Sequence, residues 1–291
     1  MRLLDSPTPV VRRAIRLAAV LLLIAASALA SPITIGPGPA LGTDRAGVTW
    51  YQEFQEWTRA DLKALDPTGA TDMYRYNDGY DDSRDLVAFY EREENNKVYF
   101  RVDLADLAYG AESTNLNLYV AIDAASGGQV YLPDFVNCQT DHPWEVCLCV
   151  YNSGTTYGTD YRIYDSAFNN LTTGYLGSYF NSQLDAVEFG IDRTVLTSHG
   201  WNGTTPLQFH VFTTKDNAPN SACPSGSMIA DAIPDADRGC TGTTGVLHGA
   251  VSSTATAGVV YYASIAHGNQ SVNRASEIGV HIYDTQASTG I

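Results

Sequence analysis

Basic residues are scarce: 17 Lys and Arg stand against 32 Asp and Glu in a chain of 291, a formal net charge of −15. A phosphate backbone would be repelled by that surface, which excludes a nucleic-acid binder. Long apolar runs are scarcer still, with one near the N-terminus and none later that would insert in a bilayer. The common catalytic signatures are missing too, since the chain has no G-x-S-x-G elbow, no H-E-x-x-H and no G-x-G-x-x-G. Only 3 Met, Met1 among them, leave little axial-ligand chemistry for a haem. What is present excludes wholesale disorder, because 44% hydrophobic and 11% aromatic residues are enough to bury a core.

The one apolar run belongs to a leader. Arg2, Arg12, Arg13 and Arg16 precede residues 17–30, which close on Ala28-Leu29-Ala30, an A-x-A cleavage pattern. Residues 1–30 therefore read as a secretory signal peptide, and the run is shorter than the roughly 20 residues a membrane span needs. Secretion, to the extracellular space or a periplasm, agrees with the cysteines. An oxidising compartment would pair four of the 5. Cys223 and Cys240 bracket a Pro/Gly/Asp-rich stretch, where a disulfide would add about 3 kcal/mol in the chain-entropy model. Cys138 is expected to pair with Cys147 or Cys149, leaving one thiol over. A zinc site is the competing reading, but C-x-C without a second close Cys/His pair gives it little support.

Past the leader, residues 31–49 are rich in Pro, Gly and Thr without periodicity and read as a linker or extended lead-in. Residues 50–65 suggest a short helix. Strands follow. In Lys97–Leu104 the residues Val98, Phe100, Val102 and Leu104 alternate with polar neighbours, and residues 115–123 repeat the pattern with Leu116, Leu118, Val120 and Ile122 inward. Residues 86–90 and 144–151 are nearly continuously apolar, as central strands covered on both faces would be. Residues 161–164, 184–191 and 207–213 add more, spaced by Gly, Asn and Thr turns. The expected fold is all-β, an antiparallel jelly-roll-type β-sandwich with long loops, spanning residues 50–258. Residues 259–291 either supply its last strands or begin a truncated second domain.

Two constellations carry chemistry. Asp66, Asp78, Asp81, Asp82 and Asp85 lie close together in a turn-rich stretch. Such carboxylates raise one another's pKa unless a cation neutralises them, and hard oxygen ligands in loops suit Ca²⁺. A solvated acidic loop is the alternative, since no EF-hand loop is present. The second constellation is aromatic: 18 Tyr and 4 Trp. Rings that stack on a pyranose beside carboxylates and amides hold sugars. Trp57, Trp144 and Trp201 are the candidates, each weighed against core packing, with Trp201 in a Gly/Asn turn the best placed for exposure. Asp185 and Glu188 sit three apart in an apparent strand and so face opposite sides, which argues against a paired acid and base. His142 and His267 read as isolated turn or core histidines.

Several of these segments resemble a known family. Asp66-Pro67-Thr68-Gly69, Arg84-Asp85-Leu86-Val87-Ala88-Phe89-Tyr90, Lys97–Leu104 and Leu118-Tyr119-Val120-Ala121-Ile122-Asp123 are similar to the glucodextranase C-terminal-like domain. That domain groups with family 9 carbohydrate-binding modules and DOMON-like sandwiches. Residues 184–191 and 206–216 resemble the closing strands of such modules, so the likeness covers residues 60–216. Ala70-Thr71-Asp72 stands where the family has a second acidic pair. The resemblance implies a β-sandwich, often calcium-stabilised, attached to secreted glycan-active enzymes. In the tail, a strand ending in His267-Gly268-Asn269-Gln270 is similar to the first barrel strand of family 57 glycoside hydrolases and polysaccharide deacetylases. The expectation is a secreted, non-catalytic module that binds a polysaccharide or glycan. The alternatives are the N-terminal part of a glycan-active enzyme and an extracellular structural or adhesive subunit that self-associates.

Overall fold

The structure is a computed structural model that describes residues 31–43, 45, 47, 49–51, 53–66, 84–105, 107, 116–134, 136–151, 161–182, 184–215, 228–234, 236–237, 245–257, 262–265 and 280–283. The described chain begins with β1 (Ala40–Thr43) and β2 (Thr49–Tyr51), a 3-10 turn (Arg59–Asp61) and β3 (Leu62–Leu65). There follow β4 (Leu86–Glu94), β5 (Lys97–Leu104), β6 (Leu116–Asp123), β7 (Gln129–Tyr131), β8 (Cys138–Trp144) and β9 (Val146–Tyr151). Next come β10 (Tyr161–Asp165), β11 (Tyr175–Asn181), β12 (Ala186–Asp192), a single helix turn α1 (Arg193–Ser198) and β13 (Gln208–Lys215). The described chain closes with β14 (Met228–Ile233), β15 (Ala236–Asp237), β16 (Gly245–Leu247), β17 (Val251–Ser252), β18 (Tyr262–Ile265) and β19 (Val280–Tyr283).

Two large antiparallel sheets result. One has the order β11-β12-β5-β4-β3, the other β10-β9-β6-β13-β14 with β17 beside β13. Alternation drives the layering. Val98, Phe100, Val102 and Leu104 of β5 and Leu116, Leu118, Val120 and Ile122 of β6 all enter one shared core, so the period-2 reading of both strands holds and the expected all-β sandwich is what the chain forms. Rings cross the interior: Phe209 of one sheet meets Phe89 and Phe100 of the other with centroids 5.4 and 5.8 Å apart. These edge-on pairs match the geometry aromatic quadrupoles prefer. The β4–β5 hairpin turns on Asn95 and Asn96, both at positive φ (49° and 62°), as a tight turn compatible with strand twist requires.

The outer faces are covered as well, which explains why β6 is buried on both sides. A smaller sheet, β15-β16-β8-β7, lies over the second large sheet, packing Leu132, Val136, Trp144 and Leu247 against Tyr119, Ala121, Phe212 and Ala232. Within it β16 runs parallel to β8. Ile33, Phe54 and Trp57 cover the outer face of the first sheet through Tyr99, Tyr179 and Ala186. The lead-in is thus part of the packed structure. In place of a helix over residues 50–65 there are β2, a 3-10 turn and β3. Thr58 and Asp61 cap each other, Arg92 takes Asp61, and β3 hydrogen-bonds the edge of β4, so tertiary partners override the local helical pattern. At the tail, β18 and β19 pair with one another.

Candidate functional site

At one end of the sandwich β3 and β4 face the loops that lead into β13 and out of β17, and between them opens a cleft of ≈ 300 Å³. Strand alternation places its floor. Glu91 and Glu93 follow Phe89 on the core-facing side of β4, so the buried face of the strand runs out of apolar partners and ends in carboxylates. Lys63 comes from β3. The opposite wall is Trp201, Gly203, Thr204, Thr205, Pro206, Ser253 and Thr254.

The wall is held by local hydrogen bonds. Asn202 Oδ1 accepts from the Thr204 and Thr205 amides, each at 2.8 Å, and the Trp201 indole N–H donates to Thr205 O at 2.8 Å. The Arg193 guanidinium lies 4.6 Å from the Trp201 ring centre, donates to Gly203 O, and sits 3.6 Å from Glu93. Ser253 Oγ accepts from the Leu207 amide at 3.1 Å, tying the two loops together.

The floor is electrostatically unbalanced. Asp61 is held below its ordinary range: burial pushes its carboxyl up, but Arg92 and the Thr58 hydroxyl and amide outweigh it. Glu91 is only 3% exposed and is pushed up to about 7, first by burial, with Lys63 opposing and Glu93 and Asp61 adding to the rise. Its Oε2 lies 3.7 Å from the Lys63 ammonium, while Oε1 has no hydrogen-bond partner within the protein. A buried acceptor left without a donor costs about 1–3 kcal/mol, and this oxygen is itself sealed from solvent beneath the cleft floor.

Of the tryptophans expected to stack on sugar, only Trp201 reaches this site. All three are buried. Trp57 is sealed under Arg92 and Tyr90, its N–H donating to Glu188 at 2.5 Å. Trp144 is inaccessible and donates to Tyr131 O at 3.1 Å. Their polar edges find partners inside, and that leaves their faces to the core. The exposed rings beside Trp144 are Tyr131 and Phe168, the latter edge-on to the indole at 5.8 Å. Phe168 is held outward at φ 63° by the Asp165 turn.

Of the acidic stretch, Asp78, Asp81 and Asp82 lie outside the described residues, as do Cys223, Cys240 and His267. Asp66 and Asp85 stand at the two ends of that segment. The Asp66 amide donates to Val87 O and the Asp85 carbonyl accepts from the Ala105 amide, both at 2.9 Å. Among the described residues no three His, Cys, Asp or Glu side chains are arranged to hold a metal ion. Cys138 and Cys147 are buried thiols in this structure, and no bridge joins Cys138 to Cys147 or Cys149. The reason is the corner at Glu145: Cys147 sits beside it in β9, while Cys138 is at the far end of β8, in a different sheet. Burial pushes the Cys138 thiol up to about 12 and the Cys147 thiol well above its usual range.

Two polar clusters gave no local sequence signal, because their members come from distant strands. Asp134 accepts from Tyr119 and Tyr151 at 3.0 Å each, from Tyr164 at 2.5 Å and from Arg162 at 2.8 Å. Asp141 gathers three histidines, with His248 Nδ1 at 3.4 Å, His142 Nε2 at 3.9 Å and His210 Nε2 at 4.0 Å, so His142 is not isolated. Buried His210 is pulled down to about 4 by desolvation and by His142, with Asp141 opposing. Asp185 and Glu188 go to different partners, the Leu107 amide and the Trp57 indole, and form no acid–base pair. No family model matches the chain, and no curated protein matches it.

Proposed function

We propose that the chain is a secreted, non-catalytic β-sandwich that binds carbohydrate in the cleft beside Trp201. The observation that carries the reading is the combination of residues that line it: the carboxylates of Asp61, Glu91 and Glu93, four hydroxyl-bearing residues (Thr204, Thr205, Ser253 and Thr254), and Trp201. Sugars present donors, acceptors and apolar C–H faces in the same small volume, which is what such a lining complements. The resemblance of residues 60–216 to glucodextranase C-terminal-like domains supports the same class. It also supports calcium in the acidic stretch bounded by Asp66 and Asp85, with Asp78, Asp81 and Asp82 as further ligands. Cys223 and Cys240 are the proposed disulfide pair, consistent with export.

Isothermal titration of the purified protein with maltotetraose and cellotetraose tests the reading. Saturable binding to at least one is expected, and weakening of about tenfold or more when Glu93→Ala removes the accessible carboxylate of the cleft, roughly the worth of one hydrogen bond to a charged group. Absence of binding to both, and to a wider α- and β-glucan panel, would overturn it.

A further inference from the structure

We infer that Tyr131 and Phe168 form a second sugar-binding element, stacking on further rings of a glycan chain whose first part lies in the Trp201 cleft. The inference rests on the carbohydrate reading above and deepens it by assigning the ligand's length: a polymer, not a short oligosaccharide. Tyr131 is 54% exposed and Phe168 42%, while Trp144, which both adjoin, is wholly buried. Both rings are carried on fixed backbone. Asp165 Oδ1 accepts from the Ala167 and Asn169 amides at 2.9 and 2.8 Å, and the Phe168 amide donates to Asp165 O at 2.9 Å, which holds Phe168 at φ 63°. A bulky residue rarely adopts that conformation, and it persists only where the surroundings impose it. Gln129 ties this turn to β7: its Oε1 accepts from the Val130 and Tyr131 amides, each at 3.0 Å, and its Nε2 donates to Ser166 O at 3.4 Å. Rings held outward by ordered backbone lose little freedom when a ligand stacks on them.

Strand register puts these rings and the cleft at the same end of the sandwich. Asp165 pairs with Val146, Val146 with Ile122, and the next residue, Asp123, with Gln208. The 165–169 turn and the 201–206 loop therefore leave one end of the second large sheet three strand spacings apart, about 14 Å, a span that several linked sugar rings cover. The two loops also interact. Burial raises the Asp165 carboxyl, but Asn169, the Ala167 amide and, from the Trp201 side, His199 outweigh it and hold it below its usual range. The exposed area decides the occupant. About half of each ring-bearing residue is open, on the order of 200 Å² together, against the roughly 800 Å² that each partner buries in a standard protein interface. A second copy or a protein partner would find too little to hold. The apolar face of a sugar ring is of that scale, and the exposed amides of Asn169 and Asn170 follow Phe168 directly as partners for its hydroxyls.

The experiment is isothermal titration with maltose, maltohexaose, cellobiose and cellohexaose on wild type, on Glu93→Ala, and on the double variant Tyr131→Ala with Phe168→Gly. Expected is a hexasaccharide bound roughly tenfold tighter than its disaccharide, the amount two stacked rings supply. The double variant should lose that gain and bind the disaccharide as wild type does, whereas Glu93→Ala should weaken both lengths alike. Glycine accepts φ 63° without strain and both side chains are exposed, so the double variant should keep the wild-type thermal midpoint. Phe168→Tyr, which keeps a ring, should keep the gain. A gain unchanged in the double variant, or equal affinity for both lengths in wild type, overturns the second element and leaves the cleft reading standing. Loss of disaccharide binding in the double variant, with its midpoint intact, overturns the division between cleft and rings. No binding of any of the sugars to wild type overturns the carbohydrate reading itself.

Discussion

Glu188 lies at the middle of β12 with no accessible surface, its carboxylate accepting from the Trp57 indole at 2.5 Å and from the Gly36 amide at 3.4 Å. Burial pushes it up to about 8; Trp57, Arg101 and Gly36 oppose that rise, and Glu56 adds to it. Glu91 is displaced in the same direction, to about 7. Both are acids whose folded pKa exceeds the ordinary value of 4.5, so the native state holds protons that the unfolded chain has released. Their stabilisation is full below pH 4.5 and is lost as pH rises through 7 to 8. Urea midpoints measured from pH 4.5 to 9 should therefore fall with pH, and the slope should flatten in the Glu91→Gln, Glu188→Gln double variant. A midpoint that rises over this range would contradict the assignment. Replacing Glu188 by Leu is a harsher change, since it strands the Trp57 N–H, and should cost about 1–3 kcal/mol. None of this was legible locally. Trp57 and Glu188 are 131 residues apart, and whether an indole stacks on a ligand or donates to a buried carboxylate depends on which strand arrives beside it. Trp201 could be placed in a turn from its Gly and Asn neighbours, but not opposite Glu91.

The strand elements were the readable part, because alternation is a property of contiguous residues. Lys97–Leu104 is β5 to the residue, and residues 115–123 differ from β6 by one position. What alternation could not show is the covering of the outer faces, which turns polar positions such as Asp103 and Asn117 into buried ones. The segment before β1 illustrates the point. Its composition reads as a linker, yet the Ile33 amide donates to Glu94 at 2.6 Å, the Thr34 amide to Glu56 at 3.3 Å, and the Ile33 side chain is buried beside Phe54 and Trp57. Ile33→Ala should destabilise by about 2–4 kcal/mol, in the range for a buried aliphatic. Hydrogen exchange should show the protection lost first at Tyr99 and Tyr179, beneath it. A change within a few tenths of a kcal/mol would mean the segment is not fastened to the sheet. Gly190 in β12 gives a second element-level test. A Cβ there would approach Val98 O to 2.9 Å in the neighbouring strand, so Gly190→Ala should cost about 1–3 kcal/mol through strand displacement.

Across the whole molecule the excess of carboxylates sets the response to ions. A chain of net charge −15 repels itself, and any salt relieves part of that repulsion by screening. The acidic stretch differs from the general excess because the fold holds both its ends. Asp66 is fixed to Val87, Arg84 donates to Thr214 O at 3.2 Å, and the Leu86 amide donates to Asp231 of β14 at 2.7 Å. The described residues on either side of 67–83 are thus fixed in the sandwich, and Asp72, Asp78, Asp81 and Asp82 fall between them in the sequence. A divalent ion bound there favours only the folded chain. At a hundredfold excess over its dissociation constant it would add about 2.7 kcal/mol, or roughly 5–10 °C for a domain of this size. Thermal unfolding in CaCl₂, in EDTA, and in NaCl matched for ionic strength separates the two effects. A site predicts that calcium raises the midpoint beyond the NaCl control, that EDTA reverses the gain, and that Asp81→Asn with Asp82→Asn abolishes it. Equal shifts in NaCl and CaCl₂ would reduce the stretch to one more contributor to a diffuse negative field, relieved by any cation.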